Sequence, residues 1–197
     1  MTCLRLIHLH GPELAPHLSA LGALRLQVFR EYPYLYEGTL DDERHYLQTY
    51  VESPSSLVVL AMDGEVAVGA TTCLRMSEAE APFRTCFEQA GHDPALICYF
   101  GESVLLPAYR GQGIGKEFFA HRETHARALG ANTAAFCAVD RPTDHPQRPA
   151  DYRPLDGFWQ AQGYEKHPEW QATFIWKEIH EATESPKTLT FWTKSLM

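Results

Sequence analysis

The segment Val104 to Gly115, V-L-L-P-A-Y-R-G-Q-G-I-G, constrains this chain more than any other. A strand-like run from Ser103 to Leu106 is closed by Pro107. Gly111, Gly113 and Gly115 then crowd a turn around Arg110 and Gln112, and a long helical pattern runs from Ile114 to about Leu129. Strand, glycine turn and helix start, in that order, leave unpaired backbone N–H groups and the positive end of a helix dipole pointing into the turn. Glycines let an anion approach that backbone without a Cβ in the way. Arg110 and Lys116 add positive charge. The segment therefore predicts a phosphate-type anion site between a strand and a helix.

Two common phosphate motifs fail here. A P-loop needs Gly-Lys followed by Ser or Thr, but Gly115-Lys116 is followed by Glu117, and Arg110 stands where its first glycine belongs. The dinucleotide fingerprint G-x-G-x-x-G would need a third glycine at Lys116 and usually opens the first βα unit of its fold, whereas this turn lies past the chain's midpoint. What is left is Arg/Gln-x-x-Gly-x-Gly/Ala, met by Arg110, Gly113 and Gly115.

With 197 residues the chain fits one domain, 1–197, long enough to bury a sizeable core. Seventeen basic against 25 acidic residues give a net charge of −8, which argues against nucleic acid as a partner, since such binding needs a basic face. No apolar run reaches the length of a membrane span, and Arg5, His8 and His10 break the apolar start where a signal peptide would be continuous. Five cysteines, Cys3, Cys73, Cys86, Cys98 and Cys137, form no C-x-x-C; buried free thiols and a cytoplasmic location are expected.

Periodicity predicts a strand over 4–9, a helix from about Leu14 to Phe29 and a loop stopped by Pro33. A second helix follows to about Val51, capped by Asp41 or Asp42. Asp63-Gly64 joins two hairpin strands, 57–62 and 65–76. A short helix around 83–90 precedes the strand 97–106; after the long helix come a strand over 133–139 and a proline-rich connection, 140–155. A short helix ending at Gly163 and closing strands over 172–179 and 189–194 complete the order. His121 and His125 stand four apart, but Arg122 follows where a zinc helix has Glu, so a polar helix face is the better reading and no metal is expected.

The glycine turn, the order of elements and the block F-W-Q-A-Q-G-Y together resemble the GNAT superfamily of N-acetyltransferases along nearly the whole chain. The resemblance implies an α+β fold with a mixed central sheet of about seven strands flanked by about four helices. It implies acetyl-CoA as co-substrate, with its pyrophosphate on the N–H groups from Arg110 through Gly111, Gln112, Gly113, Ile114 and Gly115 to Lys116. Its pantetheine arm would pair with the backbone of Val104 and Leu105 where the fourth and fifth strands splay, and a bulge at Gly101 and an oxyanion donor at Leu105 N–H are expected. Glu102, a carboxylate in an apolar strand, is the candidate base; contact with the acceptor, or pairing with a nearby Arg, are the other readings. The superfamily's usual acid tyrosine corresponds to Trp159, which cannot donate a proton to a thiolate. Tyr152 or Tyr164 could substitute, or the thiolate could leave unaided, with Trp159 packing on the coenzyme arm. An acceptor side built from Glu31, Tyr34, Tyr36, Asp140 and His145 suits a small-molecule amine, and a homodimer is admitted as an assembly. A coenzyme A-binding module without catalysis, or a protein lysine or N-terminal acetyltransferase, are the alternatives.

Overall fold

The structure, a computed structural model, describes residues 4–197. Cys3 lies outside them; Cys73, Cys86, Cys98 and Cys137 are free thiols, three of them buried. The chain builds one mixed seven-stranded sheet in the order β1-β2-β3-β4-β5-β7-β6, where β1 is Arg5–Leu9, β2 Leu57–Asp63, β3 Val66–Arg75, β4 Ile97–Leu105, β5 Thr133–Val139, β6 Glu165–Trp176 and β7 Ser185–Ser195. Five helices cover it: α1 (Leu18–Phe29), α2 (Leu40–Glu52), α3 (Ala81–Gln89), α4 (Ile114–Ala128) and α5 (Asp156–Ala161). This is the α+β architecture expected, with one helix more. No helix among the described residues is long and apolar enough to cross a membrane.

Both faces of the sheet are buried. Leu21 and Leu24 of α1, Leu47 and Tyr50 of α2 and Phe83 and Phe87 of α3 pack on one face. Ile114, Phe118, Phe119 and Ala126 of α4, with Phe158 and Trp159 of α5, pack on the other. The central strands read as near-continuous apolar runs for that reason. Helix α1 begins at Leu18, later than periodicity suggests, because Pro16 lies in a preceding 3₁₀ segment, Gly11–His17. Thr39 caps α2 in place of either aspartate, its hydroxyl accepting from Asp42 N while the Asp42 carboxylate returns to Thr39 N.

Two expected strands fall differently. β6 starts at Glu165, well before position 172, and a register shift between His167 and Gln171 loops out Pro168, Glu169 and Trp170. β6 is an edge strand, and its charged, proline-broken first half carries no alternation to read. β7 extends the expected 189–194 to Ser185–Ser195.

The join between β4 and β5 matters most for function. These parallel strands pair only over Ile97–Tyr99 against Thr133–Ala135, and beyond Tyr99 they part. At that point β4 also bulges. Thr71 pairs with Ser103 and Cys73 with Phe100, so Gly101 and Glu102 both oppose Thr72. The two residues facing the bulge satisfy it, Thr71 Oγ1 donating to Glu102 O (2.8 Å) and Thr72 Oγ1 accepting from Glu102 N (3.2 Å).

Candidate active site

The bulge reverses the alternation of β4. Without the extra residue, Glu102 would share a face with Cys98 and Phe100, under α4. With it, Glu102 joins Tyr99 and Val104 on the α1–α2 face. There it is 6% exposed. Its Oε2 receives Arg25 Nη1 at 2.8 Å and the Tyr46 hydroxyl at 3.1 Å, while Oε1 is buried with no hydrogen-bond partner among the described residues. Arg25 also bonds Glu43 through Nε. Burial works against the Arg25 charge, but Glu102 and Glu43 together with Tyr46 outweigh it and hold the guanidinium well above its ordinary value. Burial pushes Glu43 upward, with Arg25 opposing. Tyr36, half-buried over Gly38, turns its hydroxyl to Glu43, and burial first and Glu43 next raise it. A continuous polar chain thus runs Tyr36–Glu43–Arg25–Glu102–Tyr46–Tyr50 under the point where β4 and β5 part.

Above it lies the edge of β4 that β5 has left. Leu106 N donates to Val68 O, which fixes the hydrogen-bond phase of the ladder to β3. Val104 and Ala70 form a bonded pair in that phase, and the amides and carbonyls of Ser103 and Leu105 face the split. Leu105 therefore turns its backbone groups to the split, whereas those of Val104 face β3 and its side chain is fully buried. Ser103 turns its N–H and C=O the same way as Leu105.

The glycine turn follows directly. Gly111 and Gly113 have φ of 76° and 90°, and open space where a Cβ would stand. Among the described residues no protein acceptor takes the N–H groups of Gly111, Gln112, Gly113, Ile114 or Gly115; the first taken is Lys116 N, by Gly113 O. Five consecutive free donors at the start of a 15-residue helix fit a pyrophosphate. Arg110 bridges the loop to its surroundings, Nε donating to Leu105 O (2.9 Å) and Nη2 pairing with Glu31 (2.9 Å). Gln112 turns its side chain back to Ala108 O, Lys116 is exposed, and the Ile114 side chain is buried in the core.

On α5, Phe158 rather than Trp159 abuts the loop, its ring edge 3.5 Å from where a Gly115 Cβ would be. Trp159 packs edge-on against Phe136 and Trp192, with ring centres 5.1 Å away in each case. Both candidate substitute tyrosines are engaged with other side chains. Tyr164 is buried and donates to Glu123, and burial pushes its hydroxyl up. Tyr152 is packed against the rings of Tyr32 and the guanidinium of Arg148.

The two loops expected to form the acceptor side do meet. Arg141 donates to Pro33 O and Tyr34 O and pairs with Glu178, and the His145 ring lies 5.6 Å from that of Tyr32. Tyr34 sits against Phe29, its hydroxyl bonded to the backbone of Val139 beside the split. Asp140 turns away, accepting from Thr190 Oγ1 at 2.6 Å with Lys166 at 3.6 Å. No set of three or more His, Cys, Asp or Glu among the described residues is arranged to hold a metal.

A parted strand pair, a bulge and a free-donor loop in this order define an acyl-CoA transferase architecture. The chain belongs to the acetyltransferase (GNAT) family, whose model matches residues 23–150. A search of curated proteins finds no match. Among solved structures, it is similar to a ribosomal-protein-alanine N-acetyltransferase from Brucella melitensis (14% identity, 98% of this chain and 99% of that one, TM-score 0.61). It is also similar to yncA of Salmonella typhimurium with its cofactor acetyl-CoA (11%, 98% and 94%, 0.54). A third is GphF, a GNAT-like decarboxylase in complex with isobutyryl-CoA (18%, 98% and 100%, 0.61). At these identities the likeness is one of fold.

Proposed function

We propose that this protein transfers an acetyl group from acetyl-CoA to a primary amine of a small molecule. The observation that carries the reading is the buried Glu102 carboxylate, one oxygen unpartnered, at the bulge where β4 and β5 part below a run of five free N–H groups. Bound there, acetyl-CoA supplies the acyl group as a thioester. The loop donors hold its pyrophosphate, and Leu105 N–H, turned to the split, is placed to bond a carbonyl oxygen as it gains charge. An amine is mostly protonated at neutral pH, so a base must take its proton, and Glu102 Oε1 is the unfilled acceptor at the site. The Tyr36-to-Tyr50 chain fixes that carboxylate in place. The loop pair around Tyr32, Tyr34 and His145 supports a compact acceptor with an aromatic-facing cation.

Titration with acetyl-CoA, then thiol release against a panel of free amines and peptides, tests this. Turnover of free amines, cut roughly 100-fold in Glu102→Gln with loss of the acidic limb of the pH profile, is expected. Acetylation of peptides alone would move the acceptor to proteins, and tight binding with no turnover would make the chain a coenzyme A-binding module. Unchanged turnover in Glu102→Gln would remove the base assignment.

A further inference from the structure

Two buried arginines flank the β4 bulge, one on each face of the sheet, and they are neutralised very differently. Arg25 answers two carboxylates. Arg122, on α4, is 2% exposed and has no ion pair among the described residues. Its guanidinium lies 4.3 Å from the ring centre of Phe100 and 4.7 Å from that of Phe119. Nη1 reaches Glu102 O at 3.5 Å, and Nε is buried with no hydrogen-bond partner among the described residues. The groups around it are the thiols of Cys73 on β3 and Cys98 on β4, the Tyr164 hydroxyl, and Glu102, whose carboxylate Arg25 holds across the sheet. Burial alone presses the charge down, yet a guanidinium stays protonated at neutral pH. A desolvated cation without a counter-ion is costly unless something offsets it.

Its position suggests what does. Phe100 is the first residue of β4 beyond its pairing with β5, so the charge sits at the floor of the split. From Leu105 to Gly101 the strand spans about 13 Å at roughly 3.3 Å per residue, comparable to an extended pantetheine arm starting at the glycine loop. A sulfur carried on that arm arrives at the bulge. Resting on the proposed function, we infer that Arg122 is the electrostatic partner of the departing thiolate, doing without a proton what an acid at position 159 would do with one. In the balanced step the amine, its ammonium proton already passed through Glu102 to solvent, bonds the acetyl carbon through nitrogen, the C–S bond breaks with its electron pair left on sulfur, and the second proton that nitrogen loses passes to Glu102. Negative charge then appears on the face that holds an unmatched cation, and the proton goes to the face that holds two carboxylates for one guanidinium. The site is polarised across the sheet.

The test reads the thiol of bound coenzyme A and needs no acceptor. Ultraviolet thiolate absorbance is followed against pH for the complex with coenzyme A, with the desulfo-coenzyme A complex as reference to remove the protein's own thiols. In the unaltered protein the bound thiol is expected to titrate about one unit or more below a free thiol's value near 8.5. Arg122→Met should return it to the free value while desulfo-coenzyme A still binds, and Arg122→Lys, which keeps the charge and the stem, should retain a depression. A bound thiol that titrates as free coenzyme A in the unaltered protein overturns the inference even if neither variant folds. An unchanged depression in Arg122→Met overturns it too. Both results leave the proposed function standing, whereas failure to bind coenzyme A at all removes that function and this inference with it.

Discussion

Arg25 neutralises Glu43 and Glu102 at once in a setting where all three side chains are more than nine-tenths buried. Removing one partner of such a cluster leaves charge uncompensated, at a cost of about 3–5 kcal/mol. Arg25→Met should therefore lose about that much stability at neutral pH in denaturant unfolding. The pH dependence has a definite sign. Glu43 already lies above its ordinary value because of burial, and without Arg25 opposing it would rise further. A carboxyl group raised on folding costs stability above its unfolded value and nothing below both values. The deficit of Arg25→Met should shrink as pH falls toward 4; a deficit constant between pH 7 and 4 would mean lost packing against Phe29 and Tyr46 instead. These residues were partly legible. Glu102 stands out as a carboxylate in an apolar strand, but Arg25 and Glu43 carry no motif, and Arg122 reads only as part of a polar helix face, although each lies on a buried helical stripe. Arg25 follows Leu21 by four, Glu43 precedes Leu47 and Tyr50 by four and seven, and Arg122 lies between Phe118 and Ala126. A charged residue on such a stripe is a sequence signal that needs no structure. Which charges find one another does need it, because Arg25 and Glu102 are brought together by packing and not by spacing.

The bulge is the element on which the site turns. Gly101 has an ordinary φ, and its requirement is space: a Cβ there would come 1.9 Å from the Tyr50 hydroxyl and 2.6 Å from Thr72 Oγ1. Tyr50 is a buried ring that cannot swing aside, so Gly101→Ala overpacks the core at about 1–3 kcal/mol. It also pushes on the neighbours that fix Glu102. Thermal unfolding should show the loss, and kcat should fall more than the affinity for acetyl-CoA, since the glycine loop is untouched. Equal losses in both would place the effect in global unfolding rather than at the bulge. The glycine, strand and loop were legible because turn and helix-start chemistry is local. The threonine pair that satisfies the bulge was not, since Thr71 and Thr72 meet Glu102 across a ladder between distant strands. The early half of β6 was hidden for a related reason: an edge strand need not alternate.

Across the whole molecule, the sheet is two half-sheets, β1–β4 and β5–β7–β6, joined among the described residues by three paired positions of β4 and β5 and by the Asn132 N–H bond to Leu96 O that precedes them. The family resemblance implies the splay of the fourth and fifth strands, but residue patterns alone do not carry it, because it depends on β7 inserting between β5 and β6 and on where a parallel pair stops. Other links between the halves come from the α1–α2 loop, which Arg141 holds through Pro33 O and Tyr34 O and which pairs with Lys177 and Ile179 through Glu37 and Leu35. A ligand lying along the free edge of β4 would close the gap that the strands leave. Acetyl-CoA at a hundredfold excess over its Kd should stabilise the chain by about 2.7 kcal/mol. At this length that is about 5–10 °C in Tm. Hydrogen exchange separates this from a ligand held at the loop alone. Bridging predicts slower exchange at the amides of Gly111 to Gly115, at Ser103 and Leu105, and on β5 from Phe136 to Val139. Since a closed split also restrains the opening of one half-sheet from the other, protection should extend into the paired stretch at Ile97–Tyr99. Slowing confined to Gly111–Gly115, with β4 and β5 unchanged, would show that the split is not where the acyl arm lies, and the placement of sulfur between the two arginines would go with it.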